Sequence, residues 1–235
     1  MEFFPYLAMT AAEMQGMDSL PAKLGYMACH FSSYGTGLSN CPASLPPGSI
    51  LILNDRIPIY SHSPETVAAQ VAEMAEAFSC DSILLDFQRP DNAETAAVCR
   101  RITESCPCPV GVSHLYAQSL SCPVFLPLPP LDQPLHAHLA PWDGRELWLE
   151  VGLQAGCFIL TPQGCTFSES FYETPPETCF LEKDLHCRYR IEPDPEETRF
   201  YLYRGQRELD SLLQQAKILG VTKVIGLFQQ LGKMQ

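Results

Sequence analysis

Residues 49–54 (SILILN) and 82–87 (SILLDF) each hold a continuous apolar run, and the segment between them has helical periodicity. A strand reads as a continuous apolar run when both of its faces are covered, as in a parallel sheet layered by helices. Ser63 and Pro64 supply an N-cap and a first-turn proline, and Val67, Val71, Met74, Ala75 and Phe78 follow at helical spacing. Together these elements predict a strand–helix–strand unit.

The alternation continues along the chain. Residues 91–94 (DNAE) form a capping-box pattern that opens a helix to about residue 104, and strands are predicted at 109–112 (PVGV), 123–126 (PVFL) and 146–151 (ELWLEV). A helix over 208–219 stops at Gly220 before a strand at 223–228 (KVIGLF), while 3–9 and 23–31 add two more strands. Eight strand candidates alternating with helices predict an α/β fold, a compact (β/α)8 TIM-type barrel, with a doubly wound open sheet as the alternative. Residues 156–204 break the rhythm with short β-like pieces at 157–160, 187–190 and 199–203. They predict a β-rich insertion of hairpins before the last helix. Proline-rich stretches at 42–47, 123–134 and 175–195 read as loops, so residues 1–235 are expected to form one domain.

Charge narrows the ligand class. Lys and Arg total 15 against 27 Asp and Glu, a net charge of −12, and such a field repels nucleic acid. The start lacks a basic segment followed by a sustained apolar one, and no apolar run reaches membrane-spanning length, so a cytoplasmic protein without membrane contact is expected. The eleven cysteines cannot all pair and are expected as reduced, mostly buried thiols. Cys106 and Cys108 lack a second pair at zinc spacing, and His136 and His138 lack an acidic partner, so no metal and no cofactor is expected.

The segment 81–90 (DSILLDFQRP) carries the most specific signal. It resembles the D-G-x-D-x-D-x-E signature of family-18 glycoside hydrolases: Asp81, Ile83, Asp86 and Pro90 stand in register, with Phe87 where that family often has Trp. The tail adds residues 200–203, Leu209, Lys217, Gly220 and 224–228, similar to the family's closing pattern, with Phe228 at its usual Trp. The resemblance implies a chitinase-like barrel. In it the last acid protonates the glycosidic oxygen, and the preceding Asp orients the substrate's acetamido group. Here Gln88 holds the acid's place and Leu84 replaces the middle Asp. A carboxamide has no titratable proton, and general acid catalysis is worth roughly a hundred- to ten-thousand-fold. The implied protein is a pseudoenzyme without ordinary chitinase activity, which binds a carbohydrate or a small polar ligand.

The strand's two-residue period independently puts positions 84, 86 and 88 on one side, toward the carboxyl-terminal mouth of a barrel. Asp86 is expected either to orient a ligand or to be a strand-end carboxylate satisfied by neighbours, and Gln88 either to bond a sugar or to be a plain rim residue. Asn54, Asp55 and Arg56 follow another strand to the same mouth, and Glu150 ends a third. Asp55 facing Asp86 could serve as a replacement acid, or could pair with Arg56 at the surface. His114 and Tyr116 follow the strand at 109–112. Tyr34 stands in a small-residue loop, 31–37 (FSSYGTG), which lacks the Lys-Ser/Thr of a phosphate loop. Glu192 falls in the insertion. Two further readings remain: an active glycosidase using Asp55, Asp86 and Glu150, or a non-catalytic scaffold whose mouth is plugged by Phe87, Tyr116 and Trp148.

Overall fold

The computed structural model describes residues 3–33, 37–58, 62–90, 92–170, 175–176 and 178–232. By its contacts the chain divides into two compact units, one drawn from residues 4–127, 144–150 and 222–235 and the other from residues 1–3, 128–143 and 151–221.

The first unit holds β1 (Tyr6–Met9), β2 (Leu24–Phe31), β3 (Leu38–Ser39), β4 (Ile50–Asn54), β5 (Ser82–Asp86), β6 (Val110–Ser113), β7 (Val124–Leu126) and β8 (Leu147–Glu150). The second holds β9 (Gln154–Thr161), β10 (Gly164–Ser170), β11 (Phe180–Glu182), β12 (Cys187–Pro193) and β13 (Thr198–Arg204), after which β14 (Val221–Leu227) returns to the first. All eight strands expected from the sequence are present. They pair in parallel in the order β1, β2, β4, β5, β6, β7, β8, β14, and β14 pairs β1 again. These eight strands therefore close into a barrel, with the short β3 added antiparallel beside β2, and the doubly wound alternative is excluded.

Helices α1 (Ala11–Gln15), α2 (Pro64–Ala77) and α3 (Ala93–Ser105) follow β1, β4 and β5. The Ser63 hydroxyl accepts from the Thr66 amide at the head of α2, and Val67, Ala68, Val71 and Ala75 bury its inner face. The cap of α3 is Asn92, one residue later than the expected 91–94 box, accepting from the Thr95 amide. Asp91 lies outside the described residues.

Inward positions obey the two-residue period. Ala8, Ile50, Ile52, Leu84, Phe125, Trp148 and Ile225 form one buried cluster, with Tyr6, Met27 and Leu227 packed against it. The lumen is a filled core, as small barrels require. Its amino-terminal end is closed by charge: the Lys223 ammonium pairs with Asp81, donates to Ser82 Oγ at 2.8 Å and lies 4.7 Å from the Trp148 ring. Burial alone would raise the Asp81 pKa, but Lys223, Tyr6 and Ser82 outweigh it and hold the carboxyl below its usual range. Asp81, first acid of the signature, is thus bound at the end of the barrel opposite the mouth.

The second unit is built on an antiparallel sheet in the order β10-β9-β13-β12-β11, with α4 (Leu135–Leu139) and α5 (Gln206–Ile218). The expected pieces at 157–160, 187–190 and 199–203 fall within β9, β12 and β13. The sheet starts at Gln154, two residues before the expected boundary. Its core joins Leu131, Cys187 and Leu202 with Phe158, Leu185, Tyr189 and Phe200. Helix α6 (Phe228–Leu231), in the first unit, ends the described chain.

Candidate functional site

Parallel register carries the inward alternation to the carboxyl-terminal rim. Ile52 pairs with Leu84 inside the lumen, so the next inward rung is Asn54 beside Asp86. On the other side of Asn54 the rung continues to His30 of β2. One step past Asp86, the register of β5 with β6 brings Ser113, which is buried. At the end of β8, half-buried Glu150 repeats the inward direction of Trp148.

Asp86 is the electrostatic centre of this rim. The Gln88 side-chain amide donates to Asp86 Oδ1. Burial raises the Asp86 pKa and the charge of Asp55 adds to the rise, against a smaller lowering by the Gln88 amide. A carboxyl raised in the folded state favours folding below its unfolded pKa, and that contribution is lost as pH rises through the folded value. Asp86 therefore opposes folding at neutral pH. Groups held at such a disadvantage concentrate at functional sites.

Asp55 has a different task. It is buried, and its two carboxylate oxygens accept the backbone amides of Gln88 at 3.0 Å and Arg89 at 2.8 Å. Arg89, not Arg56, supplies the guanidinium that binds this segment, donating to the carbonyls of Asp55 at 2.8 Å and Arg56 at 2.9 Å. Asn54 bonds the Met27 carbonyl and the Arg56 amide. These contacts brace the turn that presents Gln88 to Asp86. Asp55→Ala leaves two amides without their acceptor and is expected to cost about 2 kcal/mol, read as a lower urea midpoint at unchanged slope.

Tyr116 braces the same turn from outside, its hydroxyl donating to the carbonyls of Arg89 at 3.1 Å and Pro90 at 3.0 Å. Phe87 has the parity of Ile83 and Leu85, not of Leu84, and packs between the Phe31 ring, tilted at 5.6 Å, and the Tyr116 ring, edge-on at 6.0 Å. The expectation that Phe87 and Tyr116 plug the mouth is thereby corrected. Trp148 fills the lumen below it. At the end of β14 the lumen-facing residue is Leu227, while the Phe228 ring lies against Gly232. Arg56 is exposed, and His114 stands half-buried in the turn after β6, its pKa lowered by burial. Tyr34 lies outside the described residues.

His30 was missed by sequence reasoning. Strict alternation from Met27 would turn Cys29 inward, but an extra residue between the Tyr26 and Cys29 pairings shifts the register and turns His30 in instead. Its Nδ1 donates to the Phe31 carbonyl at 2.8 Å, and its Nε2 accepts from the Asn40 amide at 3.1 Å. No group of three His, Cys, Asp or Glu among the described residues is arranged to hold a metal, and no described helix is long and apolar enough to cross a membrane.

No protein-family model matches the chain, and no curated protein matches it. Among solved structures, a Bacillus subtilis protein described as a "putative sporulation-specific glycosylase" is similar over 76% of this chain and 80% of its own, at 9% identity and TM-score 0.49. The Bacillus cereus spore cortex-lytic enzyme SleL is similar over 76% of this chain and 55% of its own, at 11% identity and TM-score 0.45. Likeness at this level transfers no residue's role to this chain, whose architecture is the closed eight-stranded parallel barrel its own register defines.

Proposed function

We propose that the carboxyl-terminal mouth of this barrel binds a carbohydrate or another small polar ligand and does not cleave glycosides by the ordinary family-18 route. The observation that supports this reading is the Gln88 amide donating to lumen-side Asp86, at the position where the sequence resemblance expects a proton donor. An amide there orients the carboxylate and offers ligand hydrogen bonds, but it has no proton to give. Asn54 and His30 extend a polar rung beside it. Calorimetric titration with N-acetyl chitooligosaccharides tests the reading. Saturable heat is expected without release of reducing ends, and Asp86→Ala is expected to weaken binding about tenfold or more, the worth of one hydrogen bond to a charged group.

The raised pKa of Asp86 favours one alternative, an active glycosidase in which Asp86 itself is the acid, with Glu150 or Asp55 as the second carboxylate. A bell-shaped pH–rate profile that vanishes in Asp86→Asn marks that alternative.

A further inference from the structure

We propose that Cys41 and Cys29 form a peroxide-reactive thiol pair, with Cys41 the attacking thiol and Cys29 the one that resolves it into a disulfide. The register shift in β2 that turns His30 into the lumen turns Cys29 outward, where it is fully buried. Its sulfur lies 3.9 Å from that of Cys41. A disulfide needs about 2 Å between sulfurs, so closure takes roughly 2 Å of side-chain and loop movement. Cys41 is exposed on the wall of a cavity of about 450 Å³, which Ala11, Met14, Leu20, Tyr26 and Pro42 also line, so a small oxidant reaches it and not its partner.

The pair is asymmetric in charge as well as access. The Cys29 thiol stabilises the Cys41 thiolate by hydrogen bonding and holds the Cys41 pKa down to about 7, while the Cys29 thiol is raised by the same bond and by burial. Burial raises the thiols of Cys80, Cys106 and Cys187. Thiolate character and exposure together select the site of oxidation.

The chemistry balances with a hydroperoxide as the oxidant. The Cys41 thiolate attacks the peroxide and the O–O bond breaks; the sulfur takes up one oxygen as sulfenic acid, and the leaving hydroxide or alkoxide takes a proton from solvent to become water or an alcohol. The Cys29 sulfur then attacks the Cys41 sulfur, the S–O bond breaks, and the hydroxyl leaves with the Cys29 proton as water. The product ties the loop carrying Asn40 to β2. Asn40 holds the His30 ring, so oxidation fixes one wall of the mouth.

Peptide mapping of the full chain after one equivalent of hydrogen peroxide tests the pair. One disulfide between Cys29 and Cys41 is expected. In Cys29→Ser, Cys41 is expected to remain sulfenic and to be trapped by dimedone. In Cys41→Ser, Cys29 is expected to stay reduced. Cys29 is buried and its variant could misfold, so the unmodified protein gives a second readout. Alkylation of Cys41 by iodoacetamide is expected to reach half its maximal rate near pH 7. A half-point at pH 8.5, the ordinary thiol value, or a first disulfide involving other cysteines, overturns the proposal.

Discussion

Gly111→Ala is expected to lower the stability of the barrel by about 3 kcal/mol or more, the upper end for overpacking a filled core. A methyl at this position would lie 2.2 Å from Trp148 Cε3 and 2.3 Å from Cζ3, far inside non-bonded contact distance. The indole has no room to yield. It is fully buried in the lumen cluster beside Phe125, its Nε1 donates to Glu146 at 3.1 Å, and the Lys223 ammonium sits over its face. Urea denaturation followed by fluorescence reads the loss. Shrinking the indole in the same background, Gly111→Ala with Trp148→Leu, is expected to recover at least 1 kcal/mol relative to the sum of the single changes, because the two positions share one space. A loss below about 1 kcal/mol in Gly111→Ala would mean that the indole does not fill the lumen as described.

Arg204→Met is expected to cost about 3 kcal/mol or more, because several buried acceptors lose their donor at once. Arg204 is 1% exposed, and its hydrogen-bond partners among the described residues are carbonyl and amide oxygens, not carboxylates. Its guanidinium donates to the carbonyls of Pro129 at 2.7 Å, Leu185 at 3.0 Å and His186 at 3.2 Å, and to Gln154 Oε1. Burial lowers its pKa to about 10, which still leaves it charged at neutral pH. Methionine matches the stem and supplies no donor, so several buried acceptors lose theirs at about 1–3 kcal/mol each where no water replaces it. Thermal unfolding measures the effect, and hydrogen exchange at residues 185–187 localises it. An unchanged midpoint would show that the cage is not what holds this segment.

The barrel was legible because its signal is periodic and repeated. Apolar runs such as 50–53 and 83–85, each followed by capped helical segments, specify a parallel sheet regardless of tertiary detail. The inward direction of Asp86 was legible too, since it needs only strand pleat counted from Leu84. Three features were hidden. The extra residue in β2 reverses the facing of Cys29 and His30, and nothing local in residues 24–31 announces it. Asp55 lies next to the rim in sequence, but its role is set by amides 33 and 34 residues away. Strands β10 and β11 are rich in polar residues and short, respectively, and they exist because β9 and β12 offer them edges to pair with.

Calorimetry on the unmodified protein and on Asp86→Ala, with reducing ends counted in the same cell contents, tests the central claim most directly. Saturable binding of an N-acetyl chitooligosaccharide without cleavage, weakened about tenfold or more by the substitution, is the predicted result. Steady release of reducing ends by the unmodified protein, or equal binding by both proteins, contradicts it.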